Sequence, residues 1–224
     1  MTQQRPTPVE HRVALRWPFL AGSTAVALAL ALGLLVALRP LDLPELDAEW
    51  MAEIVEHRSP LWEVPALVMS WLGGGWFGIF VVPLGGALGF VLCRRPWAGA
   101  AFLVASIVSA SLVQLLKHLF GRARPEQMLV PADFGSFPSG HVANAATIAV
   151  VLALILQRAW VWAAGAAWVA LMALSRTYLG VHWLTDTVGG LLLGAGVAVI
   201  AWAPFAARLA REWNGAVRRD SVAP

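Results

Sequence analysis

The sequence predicts an all-α polytopic membrane protein of six transmembrane helices, folded as one domain over residues 1–224. Three observations carry that reading. The chain is 59% hydrophobic and 13% charged, with a mean hydropathy of +0.70, where soluble domains run at roughly 45–50% apolar and about 25% charged. So few charges cannot cover a soluble globule of this size, and the same numbers exclude disorder. Uncharged stretches of about 20 residues, enough to cross roughly 30 Å of hydrocarbon, recur along the chain. The basic residues, all Arg except Lys117, gather at the chain ends and in short turns.

The first span is 17–38, bracketed by Arg16 and Arg39. It is too long, and runs too directly into Leu38-Arg39-Pro40, to read as a cleaved signal peptide. The second is 64–93, uncharged throughout, with Gly73-Gly74-Gly75 and Pro83 as places to bend or pack closely. Arg94-Arg95-Pro96 introduces a third at 97–116, and 142–156, 159–174 and 187–207 complete the six. Between the first two, Leu46, Trp50, Met51, Ile54 and Val55 recur at helical spacing among Glu45, Glu49, Glu53 and Glu56, predicting an amphipathic helix on the membrane interface. No chemistry attaches to those glutamates. Cys93, the single cysteine, excludes an internal disulfide and a cysteine-rich metal site. No basic run with interleaved aromatics points to nucleic acid.

Six spans put both tails on one side, with the turns at 94–96 and 157–158. That side holds Arg5, Arg12, Arg16, Arg94, Arg95, Arg158, Arg208, Arg211, Arg218 and Arg219. The other holds Arg39 and Arg58, besides Lys117, Arg122, Arg124 and Arg176, which belong to the motifs below. The positive-inside rule makes the tails cytoplasmic, with 39–63, 117–141 and 175–186 facing out.

Residues capable of chemistry concentrate in two of those outer loops, at 117–125 with 138–141, and at 175–186. They spell K-x6-R-P from Lys117 to Pro125, P-S-G-H from Pro138 to His141, and S-R-x5-H-x3-D from Ser175 to Asp186. His182 and Asp186 are four apart and share a helix face. A carboxylate there can accept the imidazole Nδ1–H and leave Nε2 free to attack, although an isolated pair at this spacing is more often structural. Gly140 opens a helix whose free N–H groups suit an anion, and Ser139 is equally placed to cap it. His141 beside such an anion could protonate a leaving oxygen. Lys117, Arg124 and Arg176 offer fixed positive charge, suited to the equatorial oxygens of a transferring phosphoryl group with no metal ion. Basic residues at span ends also snorkel to lipid headgroups.

Taken together, the three motifs resemble the signature of the type 2 phosphatidic acid phosphatase (PAP2) superfamily, directly over Lys117–Asp186 and through the span plan over the whole chain. The resemblance implies a PAP2-like helical bundle with no cofactor. It implies that His182 attacks phosphorus to form a phosphohistidine held by Asp186, and that His141 protonates the leaving group and then activates water. It places Lys117, Arg124, Ser139, Gly140 and Arg176 around the phosphate and keeps Arg122 in reserve. Many relatives have Pro where this chain has Leu184. His11, His57 and His118 fall outside the motifs and read as surface or interface residues, and Tyr178 as interface packing.

The function expected is a metal-independent lipid phosphatase at the outer face of the plasma membrane. Its candidate substrates are undecaprenyl diphosphate, phosphatidic acid, phosphatidylglycerol phosphate and a lipid A phosphate, with undecaprenyl diphosphate first. A phosphotransferase of the same fold is the nearest rival, and a transporter or non-catalytic lipid-binding protein a more distant one. The sequence does not decide oligomeric state. The roles require neutral His182 with protonated His141, hence a bell-shaped pH profile over the range where imidazoles titrate.

Overall fold

The computed structural model describes residues 8–38 and 43–220, with side chains over 16–38 and 45–213. Arg5 and Arg39, and the side chains of His11, Arg12, Arg218 and Arg219, lie outside the described residues. Every regular element described is helical: α1 Pro8–Leu38, α2 Leu43–Glu56, α3 Pro60–Gly73, α4 Val82–Leu92, α5 Pro96–Phe120, α6 Gly140–Leu156, α7 Ala159–Tyr178, α8 Leu184–Trp202 and α9 Ala206–Asp220. A π-helical turn, Phe77–Val81, leads into α4, and a 3-10 turn, Ala203–Phe205, leads into α9. Four helical segments are long and apolar enough to cross a membrane: Arg16–Leu38, Pro96–Phe120, Ala159–Tyr178 and Leu184–Trp213. The pair Pro60–Gly73 and Phe77–Leu92 makes a fifth if taken as one bent span, and Gly140–Leu156 is a shorter apolar helix.

α8 is the hub, packing on α1, α5 and α6. Lipid tails are as apolar as leucine, so helices in a bilayer associate through close backbone approach at small residues. A Cβ on Gly196 would stand 2.7 Å from the Gly22 carbonyl of α1, and one on Gly190 would stand 2.6 Å from the Ser139 carbonyl. Gly194 lies equally tight on the backbone of Ala143 in α6. Buried Thr147 adds a polar clasp, its hydroxyl 2.8 Å from both the Ala143 carbonyl and Ser109 Oγ of α5. The consequence for function is local: with α6 pressed on α8, Ser139 N–H donates to the Asp186 carbonyl at 3.0 Å. Two motifs 47 residues apart thereby meet backbone to backbone.

The second expected span is broken at its glycines, where α3 and the segment Phe77–Leu92 meet at 42°. Gly74 is extended and Gly75 has φ +55, a left-handed conformation that glycine adopts without strain. The His141 ring fills the space a Cβ on Gly74 would need. Non-helical backbone at membrane depth is tolerated only where protein satisfies its polar groups. Asn144 of α6 does so, its Nδ2 donating to Gly73 O at 3.2 Å and Gly78 O at 3.0 Å.

The two ends of the bundle are tied differently. At one, Glu212 of α9 accepts the N–H groups of Trp97 and Ala98 (2.7 and 3.2 Å), capping α5, while Arg95 and Arg158 both lie over the Trp213 ring. The turns 94–96 and 157–158 therefore meet the C-terminal helix at one end, as the Arg distribution anticipates. At the other end lie α2 and the loop 121–139. α2 is amphipathic, with Met51 buried and Leu46 and Val55 exposed.

Candidate active site

Each motif takes its place from a helix terminus. α5 ends at Phe120 and hands over to Gly121 in the left-handed conformation (φ +53), a helix stop that glycine favours. This leaves Lys117 in the last turn, 3% exposed. α7 ends at Tyr178, and Gly180 (φ +68) turns the chain so that His182 lies buried before α8 begins. Asp186 caps the start of α8, with Trp183 N–H donating to Asp186 Oδ2 at 2.9 Å. Leu184 is the first helical residue, where no amide partner is required.

The expected nucleophile and its partner are adjacent and buried. His182 Nδ1 is 3.5 Å from Asp186 Oδ2, at 2% and 0% exposure. His182 Nε2 lies 3.4 Å from Arg124 Nη1. Burial pushes the His182 imidazole down to about 4; Asp186 opposes the shift, and Arg124 and Arg176 add to it. His182 is therefore a neutral base at physiological pH. His141 faces Ser70 O through Nε2 at 3.0 Å; a carbonyl only accepts, so that nitrogen carries a hydrogen and Nδ1 is the one left to exchange protons.

Three polar atoms of the site are buried and make no hydrogen bond: Ser139 Oγ, Arg176 Nε and His182 Nδ1, the last facing Asp186 Oδ2 at 3.5 Å. Ser139 is the N-cap residue of α6, but its hydroxyl makes no capping hydrogen bond. Arg176 spends Nη1 on Ser70 Oγ at 2.6 Å and leaves Nε free. Buried donors without partners carry a desolvation cost, and an anion seated between α6 and α7 would remove it. A cavity of about 820 Å³ reaches Lys117, Arg124, Gly140, His141, Arg176 and His182, and continues along the broken span past Trp71, Phe77 and Ile79. Its polar end is cationic and its remainder is apolar.

The sequence reading passed over several residues that this geometry brings in. Asp133 accepts from Lys117 Nζ (2.9 and 3.0 Å) and from Arg124 Nη2 (2.6 Å), so both cations are engaged by one loop carboxylate. Burial alone would raise that carboxyl, but Lys117 and Arg124 outweigh it and hold it below the usual carboxylate range. Arg122, held in reserve, donates to Asp186 Oδ1 at 2.5 Å and to Asp47 Oδ2 of α2 at 2.6 Å. Asp47 has a sequence signal: it stands three, four and seven residues before Trp50, Met51 and Ile54, an acid on the apolar face of α2. Ser70 and Asn144 carry no such signal, because Ser70 matters through His141 and Arg176, which face it, and Asn144 through the break it satisfies. Tyr178 is more than packing, since its hydroxyl donates to Ser59 O (2.6 Å) and accepts from Ser59 N–H (3.0 Å). His118 and His57 hydrogen-bond within their own helical turns and stay exposed, as expected. Glu53, Glu56 and His57 lie close enough to hold an ion, but are solvent-exposed and do not line the cavity.

Three comparisons bear on kinship. The chain is 29% identical over 123 residues to an undecaprenyl-diphosphatase of Sulfolobus acidocaldarius, covering 51% of this chain and 59% of that protein. It thus spans less than two thirds of that relative's length. It is 33% identical over 162 residues to a decaprenylphosphoryl-5-phosphoribose phosphatase of Mycobacterium tuberculosis, covering 67% of this chain and 87% of that one. Among solved structures, a transmembrane PAP2 type phosphatidylglycerolphosphate phosphatase from Bacillus subtilis superposes with a TM-score of 0.68 at 26% identity, over 80% of this chain and 93% of that one. The sequence profile of the PAP2 superfamily itself matches residues 98–209, taking in all three motifs, and the chain belongs to that superfamily.

Proposed function

We propose that the protein is a metal-independent phosphatase of a membrane lipid phosphate or diphosphate. The observation that carries this reading is the cavity, whose cationic end and apolar remainder match a phosphate on a lipid tail. Lys117, Arg124 and Arg176, with Ser139 Oγ and the Gly140 amide, hold the phosphoryl oxygens in place of a metal ion. His182 Nε2 attacks phosphorus while Asp186 holds Nδ1–H, giving a phosphohistidine; the phosphorus–oxygen bond to the lipid breaks, and His141 supplies the proton the leaving oxygen takes up. His141 then accepts a proton from water, which attacks phosphorus, frees His182 and releases inorganic phosphate. Six spans, with Gly140–Leu156 and the bent pair each counted once, put both termini in the cytoplasm and the site at the outer face of the plasma membrane. The outward ratio of two basic residues to ten inward, motif cations aside, supports that orientation.

Undecaprenyl diphosphate is the first substrate proposed, with relatives named for undecaprenyl diphosphate and decaprenylphosphoryl-phosphoribose in support; phosphatidylglycerol phosphate and lipid A phosphates follow, supported by relatives named for those lipids. The test is phosphate release by purified protein, with EDTA present, from undecaprenyl diphosphate, phosphatidic acid, phosphatidylglycerol phosphate and a lipid A phosphate. Release from at least one, abolished in His182→Ala, is the expected result. No release from any by a folded protein would refute the hydrolase reading and favour a transferase that needs an acceptor alcohol.

A further inference from the structure

The carboxylate of Asp47 is 1% exposed on a helix whose other acidic side chains face water. Its Oδ1 accepts the Thr185 amide at 2.9 Å, and its Oδ2 accepts both the Thr185 hydroxyl and Arg122 Nη2 at 2.6 Å. The other amino group of the same guanidinium donates to Thr185 Oγ1 at 2.8 Å and to Asp186 Oδ1 at 2.5 Å. Asp186 Oδ2 in turn takes the Trp183 amide and faces His182 Nδ1. The result is a closed chain from the surface helix to the reacting imidazole: Asp47, Arg122, Asp186, His182. Docking α2 does not require it, because Trp50, Met51 and Ile54 already give that helix an apolar face. A buried ionic pair is a poor means of stabilisation, since well-packed apolar groups do as well or better. Its charges do, however, fix the direction and basicity of the carboxylate they touch.

We propose that Asp47 and Arg122 are positioning residues for the reaction, holding Asp186 in the orientation and charge state in which it aligns His182. The proposal rests on the phosphatase reading above but can be tested apart from it. Arg122 divides its charge between two carboxylates. Without the Asp47 charge, Arg122 acts on Asp186 alone, Asp186 supports the imidazolium less, and His182 titrates lower. Without Arg122, Asp186 is uncompensated and His182 titrates higher. The other groups facing His182 are unchanged in both variants: Arg124 and Asp133 from the loop, Arg176 from α7, His141 from α6 and Lys117 from α5.

The experiment is a 15N NMR titration of His182 in full-length, 15N-histidine-labelled protein in detergent, assigned by His182→Ala among the five histidines of the chain. Asp47→Asn is expected to move the His182 titration down by about one pH unit, and Arg122→Gln up by about one unit; the double variant is expected to return toward wild type. Steady-state kinetics of the same proteins should show kcat falling about tenfold to a hundredfold with KM within about threefold. Thr185→Val, which removes the bridging hydroxyl and keeps the shape, serves if Asp47→Asn does not fold, and is expected to give a smaller downward shift. Folded variants whose His182 titration matches wild type, or shifts the same way in both, would overturn the proposal and leave Asp47 a structural cap. Wild-type protein inactive on every lipid phosphate, with the opposite NMR shifts intact, would instead defeat the phosphatase reading alone.

Discussion

The back and the front of the candidate site neutralise their arginines in opposite ways. At the back, Asp186 is fully buried and held by the Trp183 amide, by Arg122 and, through Arg122, by Asp47. At the front, Asp133 lies on a loop with its side chain 59% exposed, yet it binds Lys117 and Arg124 with comparably short distances. Distance alone does not rank these contacts. A buried carboxylate that loses a partner keeps the desolvation penalty, whereas an exposed one that lets go is resolvated by water. The back is therefore fixed geometry, and the front is a counter-charge that, in the proposed reaction, an incoming phosphate displaces.

The largest effect is expected from Asp186→Asn, which keeps the shape of the buried network and removes the charge that orients His182. By analogy with orienting carboxylates in catalytic triads, kcat should fall about 10³–10⁴-fold with a much smaller change in KM; a loss confined to KM would break the distinction between back and front. Next comes Gly74→Ala. Its methyl must push the His141 ring, and a displacement of about 1 Å at a reacting group costs about a hundredfold in rate. A kcat equal to wild type would mean that His141 is not held in its working place by the broken span.

The pH profile sharpens the comparison further. In the proposed mechanism His182 attacks only when neutral, and burial has lowered it to about 4, so activity is expected to be lost as pH falls through about 4 rather than through the ordinary imidazole range near 6.5. The acid limb of kcat/KM, measured over pH 3.5–7, is expected there; a limb near 6.5 would show that His182 is hydrated in the working enzyme. This moves one side of the bell anticipated from the sequence.

The smallest effect is expected at the front. Asp133→Asn frees Lys117 and Arg124 of an exposed partner worth at most about 1 kcal/mol, so inorganic phosphate should inhibit up to about fivefold more tightly. Weaker inhibition would show that Asp133 orders the two cations instead of competing for them.

Much of this was legible in the sequence because it depends on spacing and hydropathy. His182 and Asp186 lie on one helical face by arithmetic alone, and the uncharged runs mark their own helices. The ends were legible as well: Arg-rich turns at 94–96 and 157–158 belong together because charge is excluded from hydrocarbon. The acidic segment 44–58 was read only as an interfacial helix, because helical periodicity separates an apolar from a polar face and Asp47 is an acid on the wrong one. Asp133 gave no signal, since a single aspartate in a loop acquires meaning only from what faces it.

By itself, then, the sequence determined the helices, the motifs and the chemistry available to them, all properties of neighbours within a few residues. Tertiary structure alone decided which carboxylates share Arg122, which side chains fill the break in the second span, and that Ser139 and Arg176 keep unpaired donors. Those are contacts between segments 40 to 140 residues apart, in a bundle where the glycines of α8 bring its backbone close to α1 and α6. No local pattern encodes them, because each depends on the distance between helices and not on the order of residues along one.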